Sequence, residues 1–401
     1  MDITVRQAVS DKDFDTIVEL YALNYGVDKV SIKSTLEENP RYELSFSMIA
    51  ESNGSAIGTV WMFPTQLWLS GVPLQAVVIS RAAVHPDFSG YDVVRSMVEF
   101  LLVKIASLGT AVSVVFRSPY DNIYLSLGFA TVTDSHVYRF SPTQLRQFPT
   151  CKFVRPFGEK DDVAYVRSIY RGTQLSYADG RLSRQHGFWD YVTNEKFRVD
   201  NNYIMVYDDG VVGGYLKYKI TSDDVLQVVE VLAVDEEAYQ GLWGFVAKQS
   251  VSAVIYSAPT DGPVLDVLRP ESFHDGILPY QVKEGFLLRV INPTESLISR
   301  FYEHNMMGNR VIKIRDQQLP ANEEVIRFRI VDGRPDTLPV VSKDVDIDTD
   351  IATFSQIFCG YITPKKAHET FKLFVAGDET LLWFGRAMSS KPLYILADDV
   401  V

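Results

Sequence analysis

The 401-residue sequence has little of what marks several classes of protein. It contains only two cysteines, Cys151 and Cys359, which are far apart and show no paired spacing. A disulfide framework and a cysteine-based zinc site therefore have no support. No apolar run approaches the roughly 20 residues of a membrane-spanning helix, and the first residues form no apolar signal segment. We therefore expect a cytoplasmic protein without a membrane partner.

Positive charge is also scarce: the sequence has 39 Lys and Arg residues against 51 Asp and Glu residues, which gives a net charge of −12. A nucleic-acid-binding surface needs a clustered basic face, so no nucleic-acid partner is expected. The acidic residues between Asp344 and Asp350 alternate like the ligands of a calcium loop. The glycine and the distal glutamate of such a loop are absent at the required offsets, so we expect no metal site.

The segment from Val77 to Phe129 carries the most information. A β-rich run ends at His85-Pro86, a short polar loop follows, and a second β-branched run occupies 111–116. Between them, apolar residues recur at helical spacing: Val94, Met97, Val98, Leu101, Leu102 and Ile105. This order predicts a βαβ unit. The loop at the helix start suits a phosphate, because the first helical N–H groups lack intrahelical partners.

Part of this pattern occurs twice. Hairpin turns are predicted at Asn53-Gly54 and at Asp209-Gly210, and the β-rich runs at 77–86 and 228–234 keep a similar offset of roughly one domain length. Duplication of one fold and two unrelated α/β domains both remain open, and the recurring order favours duplication. The second copy carries Asp235-Glu236-Glu237 where a phosphate would sit, which disfavours an anionic ligand there.

The order of strand, loop, helix, strand and Tyr124 resembles the core of a GNAT acetyltransferase. IYLSLGF at Ile123–Phe129 and AVHP at Ala83–Pro86 resemble segments of the enhanced intracellular survival (Eis) family, and DIDTDIATFSQIFCGY at Asp346–Tyr361 resembles its sterol-carrier-like domain. The resemblance implies an α/β (α+β) fold, with two tandem GNAT-like mixed-sheet domains followed by a sterol carrier protein-like α+β domain. We place these domains at 1–148, 149–288 and 289–401, with Val132–Phe140 as the last strand of the first.

The resemblance also implies chemistry. Acetyl-CoA would be the co-substrate and a small cationic amine, aminoglycoside- or lysine-like, the acceptor, in a homo-oligomer that is often a hexamer. Tyr124 would protonate the leaving thiolate, and the C-terminal carboxylate of Val401 would be the base. The cofactor-binding residues would be three on the strand edge and five in the pyrophosphate loop: Ala82, Ala83, Val84, Ser89, Gly90, Tyr91, Asp92 and Val93.

Other interpretations of these residues stay open. Tyr124 also fits a buried core tyrosine, and Val401 a frayed terminus. Asp92 stands where the family has a glycine, the loop has no arginine, and Asp92 also fits a helix N-cap. The nearest cations are Arg81 and Arg95.

Four aromatic residues fit either an acceptor wall or the core: Tyr25, Trp61, Phe63 and Trp68. A second hypothesis is therefore a degenerate GNAT scaffold that binds or assembles without catalysis.

Overall fold

The structure, a computed structural model, describes residues 2–88, 90–148, 152–173, 179–193, 202–269, 271, 280–341, 344–396 and 399. Two of the predicted site residues, Ser89 and Val401, lie outside these ranges. The chain forms two compact units. The first combines Met1–Thr133 with Gly285–Lys391, and the second combines Asp134–Glu284 with Pro392–Val400. No helix of the described chain is long and apolar enough to cross a membrane.

The elements before residue 141 begin with a short strand and a well-capped helix. Ser10 and Asp13 form a capping box at the start of that helix, and Gly26 closes it in a left-handed conformation. The elements are β1 (Thr4–Gln7), α1 (Asp11–Tyr25), α2 (Lys29–Glu38), β2 (Ser47–Ser52), β3 (Ser55–Leu69), β4 (Val72–Val84), α3 (Gly90–Ser107), β5 (Val112–Val115), α4 (Asp121–Ser126), β6 (Ala130–Thr131) and β7 (Asp134–Phe140).

The remaining elements are, up to residue 290, β8 (Val154–Pro156), α5 (Glu159–Thr173), α6 (His186–Thr193), β9 (Asn202–Asp208), β10 (Val212–Ile220), β11 (Val225–Ala233), α7 (Glu236–Val246), β12 (Ala253–Pro259), α8 (Val264–Val267), β13 (Tyr280–Glu284) and β14 (Leu287–Val290). After it come α9 (Pro293–Ile298), β15 (Gly308–Arg315), β16 (Ile326–Val331), β17 (Arg334–Leu338), β18 (Ile347–Asp350), α10 (Ile351–Phe358), α11 (Pro364–Glu369), β19 (Leu373–Val375) and α12 (Asp378–Ala387).

The first unit contains a seven-stranded sheet in the order β1-β2-β3-β4-β5-β14-β6. Its neighbouring strands are antiparallel except for β4 and β5, which are parallel. The predicted apolar stripe of α3 is buried in a core with residues of β2, β3 and β4. A second cluster packs α1 and α2 with Ile49 and Ala83 of the sheet. The predicted βαβ unit and the Asn53-Gly54 hairpin are thereby confirmed.

The second unit contains a sheet in the order β13-β7-β12-β11-β10-β9-β8. Read from its other edge, this order repeats that of the first sheet, so the expected duplication of one fold is confirmed. One strand position is exchanged. The expectation that Val132–Phe140 completes the first sheet is wrong, because β7 pairs with β12 and β13, while β14 takes the equivalent place beside β5. Local sequence patterns report strand formation but not the distant pairing partner. The domain boundaries at 148/149 and 288/289 stay predictions.

The last part of the first unit is a five-stranded sheet in the order β17-β16-β15-β18-β19, accompanied by α10, α11 and α12. Its interior contains buried Phe328, Phe354 and Phe384. Two of the aspartates whose spacing resembles a calcium loop, Asp346 and Asp350, have structural roles. Asp346 accepts a hydrogen bond from the Val311 N–H at 2.7 Å, and Asp350 caps the start of α10.

A buried ion pair lies within the first unit between β14 and the segment after β15. Arg289 and Asp316 have fully buried side chains, and Arg289 Nη2 lies 2.6 Å from Asp316 Oδ1. Burial is the largest influence on the Arg289 pKa and lowers it, while Asp316 opposes that shift. The same guanidinium donates from Nε to the Leu127 carbonyl at 2.9 Å, directly after α4. Arg289 therefore holds the end of α4 in place.

Replacing Arg289 should destabilise the first unit strongly. Arg289→Met leaves the Asp316 carboxylate buried without its cation, which costs about 3–5 kcal/mol of unfolding free energy. Urea unfolding followed by tyrosine and tryptophan fluorescence measures this loss. The matched control is Arg315→Met, because Arg315 is half exposed and pairs with Asp348 at 3.3 Å. A surface pair of this kind is worth about 0–1 kcal/mol. Equal losses in the two variants would contradict the assignment.

Candidate active site

The central feature of the first unit is the free edge of β4. Its parallel pairing with β5 covers Ala76–Ile79 and Val112–Val115 and ends there. Strand β4 continues to Val84 and stays paired with β3 on its other side. Within the described chain, no strand pairs with Ser80–Val84 on the side that faced β5. Unpaired strand edges bind extended ligands through backbone N–H and C=O groups.

A β-bulge interrupts this free edge. Thr59 pairs with Ala83 and Trp61 with Ser80, so Val60 of β3 faces two residues of β4, Arg81 and Ala82. Arg81 has a left-handed backbone, with φ of 48°. That conformation is uncommon for a residue other than glycine and clusters at functional sites. The bulge redirects the backbone groups of β4 at the point where the strand leaves β5.

Side chains of α1 contact the predicted strand-edge residues. Asn24 Nδ2 donates to the Val84 carbonyl at 3.1 Å, and the Tyr25 hydroxyl lies 3.5 Å from the Ala82 carbonyl. The Ala83 and Val84 side chains are buried, whereas Ala82 is half-buried. These residues therefore offer a ligand their backbone rather than their side chains. Two of the three carbonyls already have partners from α1.

The predicted pyrophosphate loop leads directly into α3. A turn closes it, with the Phe88 N–H donating to the His85 carbonyl at 3.0 Å. Helix α3 begins at Gly90, so the N–H groups of Gly90, Tyr91, Asp92 and Val93 occupy its first turn. N–H groups in a first turn have no preceding helical turn whose carbonyls could accept their hydrogen bonds, so they attract anions. The structure thus places these four predicted residues together at a helix start.

The structure changes the interpretation of two residues at the start of α3, Asp92 and Val93. Asp92 is the third residue of α3 rather than its N-cap, because the helix begins at Gly90. Its side chain is exposed, so a negative charge remains at the helix start. The Val93 side chain belongs to the core, since a Cβ built on Gly58 would lie 2.6 Å from Val93 Cγ1. Only the backbone of Val93 can therefore face a ligand.

Among the described residues, neither Arg81 nor Arg95 contacts the predicted pyrophosphate loop. Arg95 Nη2 donates to Ser126 Oγ at 2.8 Å, and its Nη1 lies 3.4 Å from Glu99. Arg81 makes no ion pair within the described chain. Its charge acts on the buried Tyr21 hydroxyl and on Tyr25, whose pKa values are raised by burial and lowered by Arg81. The structure therefore places Arg81 beside α1.

Tyr124 lies on α4 and is only 2% exposed. Its ring meets Phe129 edge to face, with centroids 5.5 Å apart. Burial raises the Tyr124 pKa above its usual value, and the neighbouring Asp121 carboxylate adds to this shift. Arg117 holds Asp121 through an ion pair of 2.8 Å. Within the described chain the Tyr124 hydroxyl makes no hydrogen bond, so it can still donate to a ligand.

The aromatic residues of the predicted acceptor wall separate in the structure. Trp61 and Phe63 are buried, and their ring centroids lie 5.1 Å apart, whereas Tyr25 is 47% exposed. Two buried polar atoms beside α1, the Tyr21 hydroxyl and Trp61 Nε1, have no hydrogen-bond partner within the described chain. Buried polar groups normally have a hydrogen-bond partner, so we expect a ligand or a water molecule to bond to these two atoms.

Sequence reasoning missed Tyr21, Asn24 and Arg289. Tyr21 stacks on Tyr25 at 5.8 Å, and the helical i, i+4 spacing of these two residues could have revealed the pair. Asn24 is adjacent to Tyr25 in the sequence, but its contact with β4 depends on tertiary packing. Arg289 had no local signal, because it reaches the site through a strand far away in sequence.

Family comparisons match three consecutive parts of the chain. Residues 5–132 and 180–290 each match an acetyltransferase (GNAT) domain, and residues 294–394 match a sterol carrier protein domain. No curated protein matches the chain by sequence.

Solved structures share the fold over nearly the whole chain. A GCN5-related N-acetyltransferase from Anabaena variabilis has a TM-score of 0.84 at 15% identity, covering 98% of this chain and 99% of that chain. One from Kribbella flavida has a TM-score of 0.82 at 16% identity, with coverages of 98% and 99%. Eis1 from Mycobacterium abscessus has a TM-score of 0.77 at 18% identity and covers 99% of both chains. At these identities the likeness establishes the fold.

Removing the charge of Asp92 should improve binding of CoA. Asp92→Asn keeps the side-chain size but removes a negative charge from the helix start that would hold a pyrophosphate. Affinity for CoA should rise about three- to tenfold at low salt. Isothermal titration measures it. Glu99→Gln is the control, because Glu99 lies on the same helix about 10 Å further along. Unchanged or weaker binding in Asp92→Asn would place the pyrophosphate elsewhere.

Proposed function

We propose, on the premise that this chain belongs to the Eis-like GNAT acetyltransferases, that its first unit transfers an acetyl group from acetyl-CoA to a primary amine of a small cationic acceptor. The observation that carries this proposal is the free edge of β4, which leads through a short turn into the start of α3. An extended thiol-bearing arm and a diphosphate need these two features in this order.

Binding of the cofactor would use the backbone. Acetyl-CoA supplies the acetyl thioester and a thiolate leaving group. The edge at Ala82, Ala83 and Val84 would hold the extended arm, and the N–H groups from Gly90 to Val93 would hold the diphosphate. Ser89 belongs to this proposed loop but lies outside the described residues. Because Asp92 adds a negative charge, we expect weaker binding than an uncharged loop would give.

Tyr124 is proposed as the general acid. When the acceptor nitrogen bonds to the acetyl carbon, the carbon–sulfur bond breaks and the thiolate needs a proton. The Tyr124 hydroxyl is free to donate one, and burial raises its pKa, so it stays protonated at neutral pH. Arg289 supports this arrangement by holding the Leu127 carbonyl at the end of α4.

The proposed base is the C-terminal carboxylate of Val401, which lies outside the described residues. Its role comes from the resemblance to the Eis family. The base would take one proton from the acceptor ammonium, which makes the nitrogen a nucleophile. The second proton, which this nitrogen loses after it bonds to the acetyl carbon, would replace the one that Tyr124 gives to the thiolate. A homo-oligomeric state, often a hexamer in that family, is a proposal of the same origin, and a cytoplasmic location is a proposal from the sequence composition.

The acceptor class is the least constrained part of the proposal. A cationic acceptor, aminoglycoside- or lysine-like, follows from the resemblance and agrees with the net charge of −12. Arg81, which makes no ion pair within the described chain, opposes a second cation beside α1. The acceptor panel should therefore combine polyamines, aminoglycosides and lysine peptides with amines that also carry a carboxylate.

Acetyl transfer itself tests the function. The purified chain is incubated with acetyl-CoA and the panel, and both the released thiol and the acetylated product are quantified. Thiol and product in equal amounts would support the proposal. If acetyl-CoA binds but no acceptor is acetylated, the degenerate scaffold becomes the better interpretation.

Tyr124→Phe should lower kcat by roughly 10²–10⁴, the usual contribution of a general acid or base. The ring packing against Phe129 is retained, so KM for acetyl-CoA and the melting temperature should stay close to wild type. Steady-state kinetics separate these quantities. Tyr165→Phe is the matched control, because Tyr165 is an exposed tyrosine outside the first unit. Full activity in Tyr124→Phe would assign this residue to the core alone.

The pH profile should reflect the raised pKa of Tyr124. A general acid works in its protonated form, and a raised pKa keeps that form populated to higher pH. At any pH under about 10, the ordinary pKa of tyrosine, kcat should therefore not fall through loss of the Tyr124 proton. The measurement is kcat from pH 6 to 10 with saturating substrates. A fall centred near pH 8 in wild type that disappears in Tyr124→Phe would contradict this assignment.

A further inference from the structure

The bulge of β4 lies beside the last turn of α1. Tyr21 stacks on Tyr25 with ring centroids 5.8 Å apart, and the Tyr25 hydroxyl lies 3.5 Å from the Ala82 carbonyl, one residue beyond Arg81. Tyr21 is fully buried and Arg81 is half-buried. The charge of Arg81 acts on both tyrosine hydroxyls. We call Tyr21, Tyr25 and Arg81 the Arg81 cluster, which lies next to the free edge of β4.

The Arg81 cluster also lies near the hydroxyl that we propose as the general acid. Burial is the largest influence on the Tyr21 pKa and raises it. Tyr25 and Tyr124 add to this rise, whereas Arg81 opposes it. The raised pKa of Tyr124 arises from burial first, then from Asp121 and Tyr25. Such mutual effects fall with distance, so these groups are neighbours within the first unit. A group bound by Arg81 would therefore lie close to the reaction.

No carboxylate of the described chain neutralises Arg81. Its side chain makes no hydrogen bond or ion pair with any residue that the structure describes, and its neighbours at 80–84 include no acid. The acidic residues of α1 all precede the last turn of that helix: Asp11, Asp13, Asp15 and Glu19. Asp121, the carboxylate that acts on Tyr124, is paired with Arg117 at 2.8 Å. The Arg81 cluster is therefore positively charged.

Arg81 combines this charge with a strained backbone. Its φ of 48° lies in the left-handed region, where an arginine is uncommon. A glycine would form the same bulge without this strain, because it lacks a Cβ. A glycine would also leave no half-buried charge without a partner. Two unfavourable features thus coincide in one residue beside the proposed reaction site, which is typical of residues that bind ligands.

Two hydrogen-bond donors near Arg81 lack a partner within the described chain. They are the Tyr21 hydroxyl and Trp61 Nε1, and both side chains are fully buried. Trp61 pairs with Ser80, the residue before Arg81, in the register of β3 and β4. An indole N–H only donates hydrogen bonds, and a carboxylate only accepts them. These atoms therefore suit an anion better than an ammonium.

We propose that Arg81 binds a carboxylate of the acceptor, so that the acceptor is an amino acid or an amine of similar structure. This inference rests on the proposed function, and it selects lysine-like acceptors over aminoglycosides and polyamines, which carry no carboxylate. A guanidinium and a carboxylate form two parallel charge-assisted hydrogen bonds, and one carboxylate balances the single charge of Arg81. Arg81 would thereby set the specificity of the site, while the acceptor amine meets the acetyl carbon beside Tyr124.

Matched pairs of acceptors test this role of Arg81. Lysine and cadaverine differ by one carboxylate, and so do ornithine and putrescine. For each compound, kcat and KM are measured with wild type, Arg81→Gln and Arg81→Lys. Both variants keep a side chain at the left-handed position, so the backbone strain stays matched while the guanidinium is lost. Arg386→Gln is the control, because Arg386 is exposed in the same unit and pairs with Glu303 at 3.2 Å.

We expect wild type to prefer the amino acid of each pair by about 10- to 100-fold in kcat/KM, the usual effect of a hydrogen-bonded charge. Arg81→Gln should lose at least tenfold of this preference through KM for the amino acid, with KM for acetyl-CoA unchanged. Arg81→Lys should retain part of the preference, and Arg386→Gln all of it. A wild-type preference for the diamines would overturn the inference. An unchanged preference in Arg81→Gln, together with a lower melting temperature, would assign Arg81 to the fold alone.

Binding separates this inference from the proposed function. Acetylation of cadaverine without acetylation of lysine would overturn the role of Arg81 and leave the acetyltransferase proposal standing. If wild type acetylates no amine, the proposed function fails, and isothermal titration of the CoA-saturated chain with lysine and with cadaverine decides the role of Arg81. Lysine binding that is tighter than cadaverine binding and is weakened at least tenfold by Arg81→Gln would support it. Equal binding, or no binding of lysine, would overturn it.

Discussion

The first unit depends on the early end of one strand pairing. Strands β4 and β5 are paired over four residues each, Ala76–Ile79 with Val112–Val115, and then no longer pair. Buried backbone groups need partners, so the edge of β4 beyond Ile79 has to be satisfied by side chains, water or a ligand. Asn24 and Tyr25 of α1 meet part of this need. The rest of the edge, next to the start of α3, is the part of the first unit that we propose holds the cofactor.

The two copies of the fold use this gap differently. Both sheets have the same strand order, and in both a parallel pair ends early. In the second unit Tyr394 and Leu396 lie beside Val231–Ala233 and line a cavity of about 30 Å³, and Asp235 caps the following helix. Two independent physical effects, steric filling and negative charge, thus oppose a second cofactor. The two copies of the fold thus have two equivalent places, of which only the first is proposed to hold a ligand.

Local chemistry made part of this account predictable from the sequence. The spacing of Val94, Met97 and Val98 predicted α3, and its burial confirms that prediction. Asp235 was expected to repel a phosphate, and it caps α7. The exchange of β7 and β14 was missed, because strand alternation does not identify a distant partner. The bulge at Arg81 and the buried Arg289–Asp316 pair likewise arise from tertiary packing. The roles of Tyr124 and Val401 remain proposals.

The number of acetyl-CoA molecules bound per chain tests the central claim most directly. Equilibrium dialysis of the full chain against labelled acetyl-CoA, over a concentration range that reaches saturation, gives this number without any knowledge of the acceptor. The free edge of β4 and the filled gap of the second unit predict one molecule per chain. Two molecules would show that Tyr394 and Leu396 do not close the gap in the second unit. No binding at millimolar concentration would show that the edge of β4 and the loop carrying Asp92 form no cofactor site.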